Sequence, residues 1–194
     1  MIWWLKARRV HPILTLGLGA FAAVALVVQD SAVLLPALTL SNGNLAQVAL
    51  FVPMIVVGPL AQVLDNRLLS SEVSGVRRVR WMDTALITVT MAAALAVAGI
   101  GGWATGSEGV LTAGRNTCLL AGLMLCARAF VSRSGIVLPL AWIFAVVFFG
   151  RKTGTSYYEW AVTALPSGSV LAAVCAAVAL VLGLVLTYHS RNPL

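Results

Sequence analysis

Six long apolar stretches alternate with short polar segments along the chain. A helix needs about 20 apolar residues to cross the ~30 Å hydrocarbon core of a bilayer, because it rises ~1.5 Å per residue. The pattern therefore predicts an all-α, polytopic membrane protein, in which six transmembrane helices form a single transmembrane domain over residues 1–194. The predicted spans are about 12–28, 45–64, 82–101, 116–131, 135–150 and 168–188.

Prolines and glycines predict a kink and a loop within this arrangement of spans. Pro53 and Pro59 both fall in the second span and predict a kink there, with the freed carbonyls satisfied by neighbouring helices. Residues 102–115 are rich in Gly and Thr and predict an outer loop between the third and fourth spans. The fifth span is short and provides only ~24 Å of helix.

A short amphipathic segment, residues 2–10, precedes the first span. Tryptophans and cations occur together in it, a composition typical of a helix that lies at a membrane interface. We expect an interfacial helix anchored by Trp3, Trp4, Lys6, Arg8 and Arg9.

The composition excludes two broad classes of protein. Hydrophobic residues make up 60% of the chain and charged residues 10%. About 25% of the residues of a typical soluble domain are charged, so this chain has too few polar residues to cover a water-soluble surface. Intrinsic disorder requires low hydrophobicity and is excluded as well.

The distribution of charge predicts the orientation. The chain has thirteen Lys and Arg residues and six Asp and Glu residues, a net charge of +7. Ten of the cations fall at the termini or in the second and fourth gaps between spans, and three fall in the other gaps. Because cations in short loops stay cytoplasmic, both termini are expected inside, in a bacterial cell membrane. Anionic lipids are expected partners and nucleic acid is not, since no soluble domain carries a basic face.

The sequence contains no recognisable catalytic or metal-binding motif. A nucleotide-binding P-loop, a zinc-protease motif and a Cys-x-x-Cys pair are all missing, so we expect neither an enzyme nor a chain with its own cofactor. The predicted spans also lack Asp, Glu, Lys and Arg near their centres, which argues against proton-coupled transport.

The segment between the second and third spans combines acidic, small and basic residues. Its residues fit a short helix with an apolar side, which would dock on a cytoplasmic partner. An ordinary positive-inside anchor explains the same residues. The residues concerned are Asp65, Arg67, Leu68, Leu69, Glu72, Val73, Arg77, Arg78 and Arg80.

The chain resembles a small permease subunit of the bacterial ABC-2 class of ABC transporters. The resemblance rests on the interfacial segment, the six spans, the acidic-then-basic loop and an outer segment before the sixth span. It implies a coupling helix at residues 67–76 that contacts an ABC ATPase, which binds ATP and Mg. It also implies a second permease subunit, identical or related, and export of an amphipathic peptide, antibiotic or lipid-like compound. The outer segment would form short helices that dip into the membrane, with Tyr157, Tyr158, Glu159, Trp160 and Pro166.

Three alternatives remain open at this point. A six-span substrate-binding subunit of a vitamin-type importer has a similar size and topology. A membrane immunity protein would bind a toxin or antibiotic without ATP. A membrane enzyme has only the group around Tyr157, Glu159 and Trp160 as a site, where an interface anchor is the better interpretation.

Overall fold

A computed structural model describes residues 10–29, 31–35, 44–65, 76–130, 135–152 and 156–189. The helical class is confirmed. Within these described residues, five helical segments are long and apolar enough to cross a membrane, as expected for a multi-pass membrane protein. The helices are α1 (Val10–Val28), α2 (Met54–Asp65), α3 (Val76–Thr105), α4 (Glu108–Phe130), α5 (Val137–Phe149) and α6 (Val170–His189).

A short hairpin lies between α1 and α2 and was not predicted. Strands β1 (Ala32–Leu35) and β2 (Asn44–Gln47) pair antiparallel, with Ala32 opposite Gln47. A 3-10 turn, Val48–Leu50, follows β2.

The second predicted span, 45–64, therefore begins as a strand, and α2 begins only at Met54. The reason lies in Pro53, which lacks an N–H and disfavours helical backbone at the residue before it. Pro53 instead lies just outside α2, and its carbonyl accepts hydrogen bonds from the N–H groups of Val56 and Val57 at 3.1 and 3.0 Å. Of the two prolines, Pro59 alone lies inside α2.

Helices α3 and α4 form an antiparallel hairpin with a connection of two residues. Gly106 has φ +67°, which favours glycine, and Ser107 precedes the first turn of α4. The predicted outer loop 102–115 is therefore helical apart from residues 106–107. Gly114 of this segment serves helix packing, because a Cβ there would overlap the Ala98 side chain.

Helix α5 is short and connects α4 to α6. Contacts near its two ends, and contacts between α4 and α6, establish the relative directions of these helices. The 13 residues of α5 give ~20 Å of helix. Gly135, before α5, lies against Arg128 near the end of α4, and Gly150, after α5, lies against Ala161. Arg115, early in α4, binds the residues just before α6, whereas Leu125, late in α4, contacts Gly183, late in α6. Helices α4 and α6 therefore run parallel, and α5 carries the chain back between them.

Helix α4 is the centre of the bundle. Most of its residues are buried, and those of its inner face include Leu120, Met124 and Leu125. Helix α6 instead presents exposed valines, such as Val170, Val174 and Val181, on the side away from α4. An apolar outer face is what a lipid-facing helix requires.

Candidate functional site at the two ends of the central helix

Arg128 joins the end of α4 to the end of α2. Its guanidinium donates hydrogen bonds to the carbonyls of Leu64 at 3.1 Å and Ala61 at 3.4 Å, and forms an ion pair with the Asp65 carboxylate. The Arg128 side chain is 14% exposed and that of Asp65 is 41% exposed. The last carbonyls of a helix lack partners within it, so Arg128 caps α2 as well as pairing with its final residue.

We call this part of the bundle the Arg128 end. Within the candidate coupling loop, Asp65 is the last residue of α2, and Arg77, Arg78 and Arg80 lie in the first turns of α3. The remaining predicted coupling residues lie outside the described residues: Arg67, Leu68, Leu69, Glu72 and Val73. The predicted interfacial residues lie outside them too: Trp3, Trp4, Lys6, Arg8 and Arg9.

The opposite end of α4 carries a second arginine cluster, here called the Arg115 end. Arg115 donates through Nη2 to the carbonyl of Leu165 at 2.8 Å and that of Val162 at 3.3 Å. Its Nη1 donates to the carbonyl of Pro166 at 2.8 Å. Nε and Nη2 also reach Oδ1 of Asn116, at 3.4 and 3.3 Å. One guanidinium thus holds three backbone carbonyls of a single turn.

Asn116 completes the attachment of that turn. Its Nδ2 donates to the carbonyl of Thr163 at 2.7 Å, and both residues are buried. The Thr163 hydroxyl is buried without a hydrogen-bond partner in the described part of the chain, as is the indole N–H of Trp142. The turn starts with a 3-10 helix, Val162–Ala164, and continues to Pro166.

The predicted outer segment thus packs onto α4 and α5. Tyr157 is half-buried beside the Arg151 guanidinium, 6.0 Å from the ring centre, whereas Tyr158, Glu159 and Pro166 are exposed. The Trp160 ring meets the Trp142 ring edge-on, with centroids 6.3 Å apart. Within its described residues, the segment contains one 3-10 turn and no α-helix before α6.

Sequence reasoning missed the roles of Arg115 and Asn116. Arg115 was assigned to the outer loop, yet it is the eighth residue of α4 and lies inside a candidate span. The signal was available: an Arg-Asn pair interrupts the apolar run from Val110 to Leu125. An arginine in such a position requires acceptors, and the loop before α6 supplies them.

The described residues contain no group of three or more His, Cys, Asp or Glu side chains that could hold a metal ion. Cys118, Cys126 and Cys175 are free and lie in α4 and α6. The comparisons with known proteins found no matching family model, curated protein or solved structure.

Proposed function

We propose that this protein is the permease subunit of a bacterial ABC exporter, driven by a separate ABC ATPase that binds ATP and Mg. In this proposal the Arg128 end faces the cytoplasm, both termini are inside, and the chain crosses the membrane six times. The sixth crossing is α5, which returns the chain between the parallel helices α4 and α6.

The observation that carries the proposal is the junction between Arg128 and Asp65. The candidate coupling loop follows Asp65 in the chain, and the end of α2 at Asp65 is joined to α4 by Arg128. The loop returns into α3, a helix of 30 residues whose first turns carry Arg77, Arg78 and Arg80. A force applied to residues 66–75 would therefore reach α3 directly and α4 through Arg128. This is the mechanical requirement of a loop that transmits ATPase closure to a permease.

The rest of the bundle fits a pathway for amphipathic cargo. The long helices expose apolar side chains, including Val89 and Ile100 of α3 and Leu16 of α1. A second permease subunit, identical or related, would complete the pathway between two such bundles. ATP binding would shift the permease between its two conformations, because the closed and open ATPase arrangements bind ATP with different affinity.

Purification in mild detergent from the native host tests the proposal. We expect an ATP-binding protein to co-purify and the complex to hydrolyse ATP. The double variant Arg67→Ala/Glu72→Ala should abolish cargo-stimulated ATPase activity while leaving membrane insertion intact. Arg151→Ala/Glu159→Ala removes one cation and one acid at the opposite end and serves as the matched control, with ATPase activity unchanged.

A preparation without an ATP-binding partner and without ATPase activity would contradict the proposal. A tightly bound vitamin would favour the importer subunit instead. Protection of cells that lack any partner ATPase would favour an immunity protein.

A further inference from the structure

We infer that Arg115 binds the phosphate group of an anionic lipid at its end of the bundle. The inference uses the membrane location of the chain and the described contacts of Arg115, and it does not depend on a partner ATPase.

The first step is the count of donors on the guanidinium. Arginine has five N–H donors: one on Nε and two each on Nη1 and Nη2. The Nε donor and both Nη2 donors are used on Asn116 and on the carbonyls of Val162 and Leu165. Nη1 makes one bond, to the carbonyl of Pro166, and that bond lies at an exposed position. One Nη1 donor therefore has no partner among the described residues.

The second step is the charge. The partners of Arg115 are an amide and three neutral carbonyls, and no Asp or Glu among the described residues lies within ion-pair distance of it. Arg128, at the other end of the same helix, has a carboxylate partner in Asp65. Carbonyl dipoles orient a guanidinium but leave its net positive charge in place. That charge favours an anion at the free Nη1 donor.

The third step is depth in the membrane. Glu108 is exposed and begins α4, and Arg115 lies about 10 Å further along the helix. The headgroup layer on each side of a bilayer is roughly 5–8 Å thick. Exposed aromatic residues at this end, Trp103 and Trp160, are typical of the interface. Arg115 therefore starts at or below the inner edge of the headgroup layer, and its guanidinium is within reach of a lipid phosphate because it binds the carbonyl of the exposed Pro166. An anionic lipid presents that phosphate without the ammonium group that balances its charge in phosphatidylcholine.

The test counts lipids bound to the purified full chain by native mass spectrometry, with phosphatidylglycerol or phosphatidylcholine added. We expect Arg115→Gln to lose one bound phosphatidylglycerol, with about tenfold weaker affinity at that site, and Arg115→Lys to retain it. Arg151→Gln removes a cation at the same end and should bind as many as the wild type. Equal phosphatidylglycerol binding by Arg115→Gln and the wild type would overturn the inference.

A second measurement needs no variant. Hydrogen–deuterium exchange of the wild-type chain in nanodiscs should be slower at residues 161–169 with phosphatidylglycerol than with phosphatidylcholine. Equal exchange of this turn in the two lipids would overturn the inference. An equal slowing by excess inorganic phosphate in phosphatidylcholine nanodiscs would show a site for free phosphate, and would also overturn it.

Discussion

Gly183 of α6 lies directly against Gly122 of α4. A Cβ on Gly183 would lie 2.9 Å from the Gly122 carbonyl oxygen and 2.8 Å from Cβ of Leu125. A Cβ on Gly122 would in turn overlap the backbone of Ala179. The two helices therefore pack backbone to backbone, as small residues allow in membrane proteins.

This contact predicts that Gly122→Ala and Gly183→Ala each destabilise the bundle by about 1–3 kcal/mol, the cost of overpacking. Thermal unfolding in detergent measures the loss. Gly19→Ala and Gly99→Ala are matched controls, because nothing lies within 4 Å of a Cβ at either helical position. The controls should be neutral or slightly stabilising, since alanine favours helix. Equal losses at all four positions would contradict the packing explanation.

Pro59 and Gly17 form a second close contact, between α1 and α2. A Cβ on Gly17 would lie 3.1 Å from Cγ of Pro59 and 3.3 Å from the Ile55 carbonyl, which the proline leaves without its usual helical donor. We expect Gly17→Ala to destabilise the protein by about 1–2 kcal/mol. Pro59→Ala removes Cγ and restores the donor, so the double variant should recover part of that loss. Strictly additive effects in thermal unfolding would contradict the contact.

Two buried threonines differ in the hydrogen bonding of their hydroxyl groups. The Thr117 hydroxyl donates to the Ala113 carbonyl at 2.8 Å, whereas the Thr163 hydroxyl has no partner among the described residues. Valine has nearly the same shape, so Thr163→Val should leave stability unchanged or raise it by up to about 1 kcal/mol. Thr117→Val, the matched control, should lower it by a similar amount. A clear loss in Thr163→Val would show that its hydroxyl is bonded.

The proposed six crossings predict which residues are accessible from each side. In a background with the three native cysteines replaced by alanine, Glu159→Cys should react with an impermeant maleimide from outside intact cells. Ile136→Cys and His189→Cys should react only after the cells are opened. Labelling of Ile136→Cys and Glu159→Cys from the same side would show that α5 does not cross the membrane.

Hydrophobic run length predicted the helical, membrane-spanning class because it counts residues that must avoid water. Run length did not predict where individual helices begin and end, because proline and glycine determine those positions. Pro53 delays the start of α2, and the glycines of residues 102–115 were assigned to a loop although Gly102 and Gly114 permit close helix contact. The site was less predictable still. The backbone carbonyls that Arg115 and Arg128 bind lie 47 or more residues away in the chain and come together only in the tertiary structure.

The two arginines of α4 also restrict how the bundle moves. Arg115 and Arg128 are thirteen positions apart, so about 20 Å of helix separates two charges that both require polar surroundings. Sliding α4 by one turn along the membrane normal would carry one guanidinium ~5 Å deeper into hydrocarbon and pull it from its carbonyl partners. The two arginines therefore fix the position of α4 along the membrane normal. In the proposed transport cycle, motion between the two faces of the membrane comes from tilting or rotation of the other helices around α4.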